Sequence, residues 1–183
     1  VPVSARGPNV LLVGMMGSGK TSVGKVLARE LDRDFIDTDS LIVDRSGVEI
    51  PDIFKYGGEK HFRKIERDAL KSLSRVTQSV IATGGGVVLL PGNLRLLSQL
   101  GIVVYLNVSL SVLVGRLLHE GTAGRPLLDP DNDIGGRVKA ILDERHGLYM
   151  RACDVMVEVD SPKTSRRKVA AEIIGSLAES GCA

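Results

Sequence analysis

A three-layer α/β/α fold, with five parallel strands covered by helices on both faces, follows from three features of this 183-residue sequence. Short β-branched runs alternate with longer stretches of helical period, the pattern of a parallel sheet. A complete glycine-rich phosphate motif, GMMGSGKT at Gly14–Thr21, sits between the first such run and the first helix. No repeat and no linker divides the chain, so one domain is expected over 1–183, with its core at about 9–178.

The elements are expected in this order. Asn9–Val13 (NVLLV) is the first strand, followed by a helix from Lys20 to about Leu31. Asp34–Asp37 (DFID) is a short second strand. A helical region starts at Leu41–Arg45 and resumes over Ile50–Tyr56 and Glu59–Ser74, broken at Gly47 and at Gly57–Gly58. Ser79–Ala82 (SVIA) is the third strand, ended by Gly84–Gly86. Leu94–Leu100 is helical, Ile102–Leu106 is a buried strand, and Ser111–His119 is helical. Glu120–Asp133, rich in Gly, Pro and Asp, is the one long segment with little periodicity. A helix from about Ile134 to Arg151, a strand at Val155–Val159 and a helix at about Ser165–Ala178 complete the chain.

Composition excludes several classes. An apolar share of 43% and a charged share of 25% are those of an ordinary globular protein. A net charge of +2 gives no field directed at nucleic acid or membrane, and three Phe, three Tyr and no Trp leave little for stacking on bases. No apolar run approaches the roughly 18 residues of a membrane span. Cys153 and Cys182 lack C-x-x-C spacing and read as free thiols in a reducing compartment. The chain starts at Val1 rather than Met and reads as a trimmed or processed form. The expected location is the cytoplasm, or a plastid if a transit peptide has been removed.

The phosphate motif carries the first chemistry. Gly14, Gly19, Lys20 and Thr21 match G-x-x-x-x-G-K-[ST] after a strand and before a helix, the context that the motif requires. Glycines let backbone N–H groups point into a concavity sized for phosphate, at the positive end of the helix. Lys20 is placed to reach the β- and γ-phosphates, and Thr21 to ligate Mg²⁺. Gly17, Ser18 and Ser22 complete the expected nucleotide-binding set. The motif names a nucleotide donor, ATP, and is silent about the acceptor.

Acceptor chemistry must come from further along the chain. Asp37 and Asp39, in D-T-D, fall on one side of an extended segment at a strand's carboxyl end, where open α/β sheets bind ligands. One could hold Mg²⁺ and the other a hydroxylated substrate; equally, Asp39 could cap the following helix. Arg63 and Glu66 share a helix face, as a surface ion pair or as a fork presented to a substrate carboxylate with its partner. Gly84, Gly85 and Gly86 exceed what a turn needs and favour close backbone approach to a ligand. Arg125, before Pro126, suits a mobile lid over the transferring phosphate or is incidental to an exposed loop. Arg145 reads as a second carboxylate ligand or a surface charge. Lys163, Arg166, Arg167 and Lys168 crowd the start of the last helix, where the dipole disfavours cations, as a nucleotide contact or a solvated basic face.

Taken together, GMMGSGKT, DTD at Asp37–Asp39, FRKIE at Phe62–Glu66, GGG at Gly84–Gly86, RPLL at Arg125–Leu128 and RHGLY at Arg145–Tyr149 resemble the shikimate kinase family, from about Asn9 to Val159. The resemblance implies a nucleoside-monophosphate-kinase-like fold of strand order 2-3-1-4-5. It further implies a substrate-binding helical region at about 39–74 and a lid at about 120–133. By the same resemblance, Asp39 binds shikimate hydroxyls, Asp37 contacts Mg²⁺ through water, and Arg63 and Arg145 clamp the substrate carboxylate. Gly84, Gly85 and Gly86 line the pocket, Glu66 orients Arg63, and Arg125 and Lys20 act on the phosphates. Arg116, Pro162 and Arg166 stand where the family contacts adenine, although SPKTSRR departs from the usual sequence of that loop.

The implied reaction is transfer of the γ-phosphoryl group of ATP to the 3-hydroxyl of shikimate, by a monomer without nucleic-acid or membrane partners. Two rivals are a kinase for gluconate or a nucleoside monophosphate, and a kinase-like regulatory protein without catalysis. The paired arginines favour a carboxylated acceptor, and the presence of Lys20, Asp39, Arg63 and Arg125 together disfavours lost catalysis.

Overall fold

Five parallel strands, β1 (Asn9–Val13), β2 (Asp34–Asp37), β3 (Ser79–Ala82), β4 (Gly101–Val108) and β5 (Val155–Val159), form one sheet in the order β2-β3-β1-β4-β5. They belong to a computed structural model that describes residues 8–121, 126–128 and 133–179. The central strand pairs on both sides, Leu11 opposite Ile81 on β3 and Val103 on β4. Alternation along these strands assigns each residue to one face. Val10, Leu12, Val80, Val104 and Leu106 enter one core, and Leu11, Val13, Ile81, Val103 and Tyr105 the other. Both faces are therefore dry, which is why the runs read as continuous apolar sequence.

The helices are α1 (Lys20–Glu30), α2 (Thr38–Ser46), α3 (Ile50–Ser72), α4 (Asn93–Leu100), α5 (Leu110–Glu120), α6 (Ile134–Ala152) and α7 (Arg166–Glu179). On one face α1, α5 and α7 pack through Val23, Leu27, Leu113, Leu117, Val169 and Ile173. On the other, α3 and α4 contribute Leu70 and Leu97. α6 serves both, with Val138 and Ile141 in the first core and Tyr149 and Ala152 in the second. This is the expected three-layer architecture and strand order.

Three local differences bear on the site. α2 begins at Thr38, three residues before the expected start, because Asp37 caps it: Asp37 Oδ1 accepts from the Asp39 and Ser40 backbone N–H groups at 3.0 and 3.4 Å. The β2 segment therefore stops at Asp37, and Asp37 and Asp39 do not share one extended strand. The capping residue is Asp37, not Asp39. Second, α3 runs through Gly57 but bends at Gly58 (φ 72°, ψ 172°), so the expected break survives as a kink inside one helix. Third, an unexpected 3-10 turn at Val87–Leu89 follows the glycine triplet.

Long-range bonds fix the carboxyl ends of the strands. Thr83 donates both its N–H and its hydroxyl to the Leu12 carbonyl, at 3.1 and 2.9 Å. The Gly84 N–H donates to the buried Thr38 hydroxyl at 3.1 Å. Together they lock the loops after β1, β2 and β3 side by side, at the edge where parallel sheets bind ligands.

Candidate active site

The loop after β1 wraps a cleft of about 900 Å³. Gly19 ends that loop with φ 92°, a left-handed conformation that a side chain resists, and it caps α1 with no side-chain hydrogen bond. The uncapped N–H groups of α1 thus open onto the cleft, with the positive end of the helix dipole behind them. Lys20, 9% exposed, donates its Nζ to the Gly14 and Met15 carbonyls, both at 2.9 Å. Its ammonium is held inside the loop curl rather than in solvent. Gly17, Ser18, Gly19, Thr21 and Ser22 line the same cleft; Gly14 lies beneath it, packed on Leu106.

On the cleft floor the Thr21 hydroxyl donates to Asp37 Oδ2 at 2.7 Å. No group of three or more His, Cys, Asp or Glu side chains is placed to hold a metal among the described residues. A small hard cation that keeps several waters and takes its other oxygens from phosphates needs only a hydroxyl and one carboxylate from the protein. Thr21 and Asp37 fit Mg²⁺ in that sense.

The far wall of the cleft carries Arg116, Glu120, Val159, Pro162, Thr164 and Arg166. Arg116 Nη1 donates to the Gly17 and Ser18 carbonyls at 3.2 and 3.0 Å, clamping the loop from α5. Burial lowers the Arg116 pKa, with the nearby Arg166 charge acting in the same direction and Glu120 against it. Pro162 and Arg166 are exposed on the rim. Of the four cations read at the start of the last helix, Arg166, Arg167 and Lys168 open α7 and Lys163 precedes it.

Beside the cleft lies a smaller pocket of about 110 Å³, and Met16, Asp39 and Gly85 border both. Its walls are charged and buried. Glu66 has no exposure, Arg145 is 3% exposed and Arg63 6% exposed, so none is the surface charge that its residue type suggests. Arg63 Nη1 donates to Glu66 Oε2 at 2.8 Å, while its Nε and Nη2 both donate to Glu59 Oε1, at 3.2 and 3.0 Å. Burial opposes the Arg63 charge, but Glu66 and Glu59 outweigh it and raise its pKa. Burial pushes the Glu66 carboxyl up, and the Arg63 charge pulls it back. Arg145 Nη1 donates to the Gly85 carbonyl at 3.3 Å, and its Nε has no hydrogen-bond partner among the described residues.

Asp39 faces this pocket from the first turn of α2. Burial raises its pKa, Asp37 adds to the rise, and Lys20 and Arg63 offset part of it. One oxygen each of Asp39 (Oδ1) and Glu66 (Oε1) lacks a hydrogen-bond partner among the described residues. Unpaired buried oxygens beside two guanidinium groups describe a site built to receive a polar molecule that carries both hydroxyl and anionic groups.

The glycine triplet serves this packing in a way that differs from expectation. A Cβ on Gly86 would strike the Arg63 guanidinium, and one on Gly84 would strike Glu66 and stand 2.9 Å from Asp39 Oδ1. Gly84 and Gly86 make room for the protein's own charged side chains. Gly85 lies against the phosphate loop, where a Cβ would come 3.2 Å from the Met16 N. Ile50, Phe54 and Phe62 add an apolar wall, and Pro126 and Leu127 a roof.

The expected residues Lys20, Thr21, Asp37, Asp39, Arg116, Pro162 and Arg166 meet at the cleft, and Asp39, Arg63, Gly84, Gly85, Gly86 and Arg145 at the pocket. Arg125, expected on the lid, lies outside the described residues. Two contributors were not anticipated. Glu59 stands four residues before Arg63, a helical pairing that EKHFR displays. Tyr149 stands four residues after Arg145 and donates its hydroxyl to the Gly85 carbonyl.

A family model described as shikimate kinase matches residues 16–178. The shikimate kinase of Geobacter sulfurreducens is 42% identical over 171 residues, covering 93% of this chain and 91% of the relative. Among solved structures, shikimate kinase from Acinetobacter baumannii in complex with shikimate superposes with a TM-score of 0.88 at 35% identity, covering 94% of each chain. Shikimate kinase from Bacteroides thetaiotaomicron follows with a TM-score of 0.84 at 29% identity, covering 94% of this chain and 98% of that one.

Proposed function

Because this chain belongs to the shikimate kinase family, we propose that it transfers the γ-phosphoryl group of ATP to the 3-hydroxyl of shikimate, giving shikimate 3-phosphate and ADP. The observation that carries the acceptor is the pair of buried guanidinium groups, Arg63 and Arg145, in one pocket with Asp39, next to the phosphate cleft. Two arginines suit a carboxylate, the aspartate suits a hydroxyl, and a pocket of about 110 Å³ is small for a nucleotide acceptor.

In this reading the protein acts by placement and charge neutralisation, since a loose phosphoryl transition state needs little covalent help. Arg63, oriented by Glu66, and Arg145 hold the substrate carboxylate against the Gly85–Gly86 backbone. Asp39 aligns the 3-hydroxyl toward the cleft and accepts its proton as the new P–O bond forms and the bond to the departing ADP breaks. A raised pKa makes Asp39 a better proton acceptor than an exposed carboxylate. Lys20 and the lid residue Arg125 offset charge on the transferring group. Thr21 and Asp37 would hold Mg²⁺, which when bound neutralises the phosphate oxygens. Gly14, Gly17, Ser18, Gly19 and Ser22 shape the phosphate cradle, with Arg116, Pro162 and Arg166 on the adenine side.

In the same reading the chain is one kinase domain, with the helical region at about 39–74 receiving shikimate and the lid at about 120–133 excluding water. It acts as a monomer in the cytoplasm, or in a plastid after removal of a transit peptide. A coupled ADP-release assay over a panel of shikimate, gluconate and nucleoside monophosphates tests it. Turnover is expected with shikimate alone; turnover only with another acceptor would overturn the substrate assignment.

A further inference from the structure

We infer that the Tyr149 hydroxyl is a positioning group: it holds the Gly85 peptide, and through it the Arg145 guanidinium, in the geometry that receives the acceptor carboxylate. This rests on the reading of Arg145 as a carboxylate ligand. Tyr149 follows Arg145 by one turn of α6, so both side chains leave the helix on one face. Both donate to the same atom, the Gly85 carbonyl oxygen, Arg145 Nη1 at 3.3 Å and the Tyr149 hydroxyl by a shorter bond.

Among the described residues, Arg145 and Tyr149 are the donors to that carbonyl. β3 ends at Ala82, so Gly85 lies beyond the sheet ladder, and it has no side chain to pack. Yet Gly85 borders both the phosphate cleft and the small pocket, and its Cα backs onto the phosphate loop at Met16. A peptide in this place sets the spacing between donor and acceptor. Rotation of the Gly85 peptide would carry its oxygen away from Arg145 and free the guanidinium to turn.

The tyrosine is itself held. Its ring has no exposure and stacks on Tyr105 with centroids 4.9 Å apart and planes 24° from parallel. The Tyr105 hydroxyl pairs with His146 Nδ1 at 3.1 Å, one helix position after Arg145. Burial raises the Tyr149 phenol pKa, so the group remains a donor throughout the working range. A phenylalanine would fill the same space and keep the same stack. The hydroxyl is therefore separable from the packing, which makes the inference testable by removing one atom.

Tyr149→Phe is compared with wild type and with Tyr105→Phe, which removes a hydroxyl from the same stack without touching Gly85. Shikimate and ADP binding are followed by calorimetry on folded protein, and KM and kcat by ADP release. For Tyr149→Phe the shikimate Kd and KM are expected to rise about tenfold, the cost of one lost buried hydrogen bond. ADP binding and the ATP KM should stay within about twofold, and Tyr105→Phe should leave all four unchanged. Unchanged shikimate binding in Tyr149→Phe would overturn the inference while leaving the kinase assignment intact. Parallel loss of shikimate and ADP binding, or of the folded state, would also overturn it, by assigning the hydroxyl to structure. Failure of wild type to bind shikimate would remove both readings together.

Discussion

Glu66, with no solvent exposure, holds Arg63 by one oxygen at 2.8 Å and turns its other oxygen toward Gly84, where it meets no donor among the described residues. The pair is thus a buried charge on each side, one half-satisfied, at the wall of the acceptor pocket. Desolvation makes such a pair a poor source of stability but a costly one to break. Its placement makes sense as a fixed mount for a guanidinium that must face a ligand.

Breaking the mount separates stability from function. Glu66→Ala leaves Arg63 buried with Glu59 as its remaining ion-pair partner among the described residues, and is expected to destabilise the fold by about 3 kcal/mol in urea denaturation. Its shikimate KM should rise at least tenfold. A variant as stable as wild type would show that Glu66 is not ionised in the folded protein.

Arg63→Ala is expected to weaken shikimate binding about 100-fold, the cost of a charge-assisted contact in a desolvated site. ATP binding should be unaffected, because Arg63 borders the small pocket and not the cleft. Calorimetry with each substrate alone checks this, and equal loss for both would make Arg63 a structural residue.

Gly86→Ala probes the same arginine without removing it. Gly86 has φ −103°, which alanine adopts without strain, and the nearest atoms to the added methyl are those of the Arg63 guanidinium. The guanidinium must shift, so the shikimate KM should rise about tenfold, the equivalent of roughly 1.4 kcal/mol. Thermal stability should fall less than in Glu66→Ala. An unchanged KM would show that the guanidinium position is not critical.

Tyr105 provides a pH prediction. Burial, helped by a charge on Cys153, pushes its phenol up to about 12. A pKa raised in the folded state contributes stability that is present below the unfolded value of about 10 and lost as pH rises toward the folded one. Wild type should therefore lose stability relative to Tyr105→Phe between about pH 10 and 12, read by urea denaturation at a series of pH values. A pH-independent difference between the two would place Tyr105 in a more solvated setting.

Much of this was legible in the sequence, for identifiable reasons. β1, β2, β3 and β5 have the expected limits, and β1, β3 and β5 are short runs built on β-branched Val and Ile. The phosphate loop was legible because its chemistry demands glycine, lysine and threonine at set spacing. The start of α2 was misplaced because a carboxylate that both caps a helix and faces a cleft looks like one that only does the second. The burial of Arg63, Glu66 and Arg145 was hidden, since charged residues at helical spacing ordinarily face solvent. The role of Gly84 and Gly86 depends on α3 and α2 crossing over the loop, and no local pattern records such a contact. Tyr149 is the same case: its partner is 64 residues away.

On the proposed function, the two buried arginines and the phosphate cleft serve one reaction with shikimate as acceptor. The most direct measurement incubates the folded protein with Mg·ATP and shikimate and identifies the phosphorylated product by phosphorus NMR. The expected result is one new phosphomonoester resonance coupled to the C3 proton of shikimate, formed in equal amount with ADP. Protein that binds ATP and shikimate but forms ADP without that resonance, or no ADP at all, would contradict it.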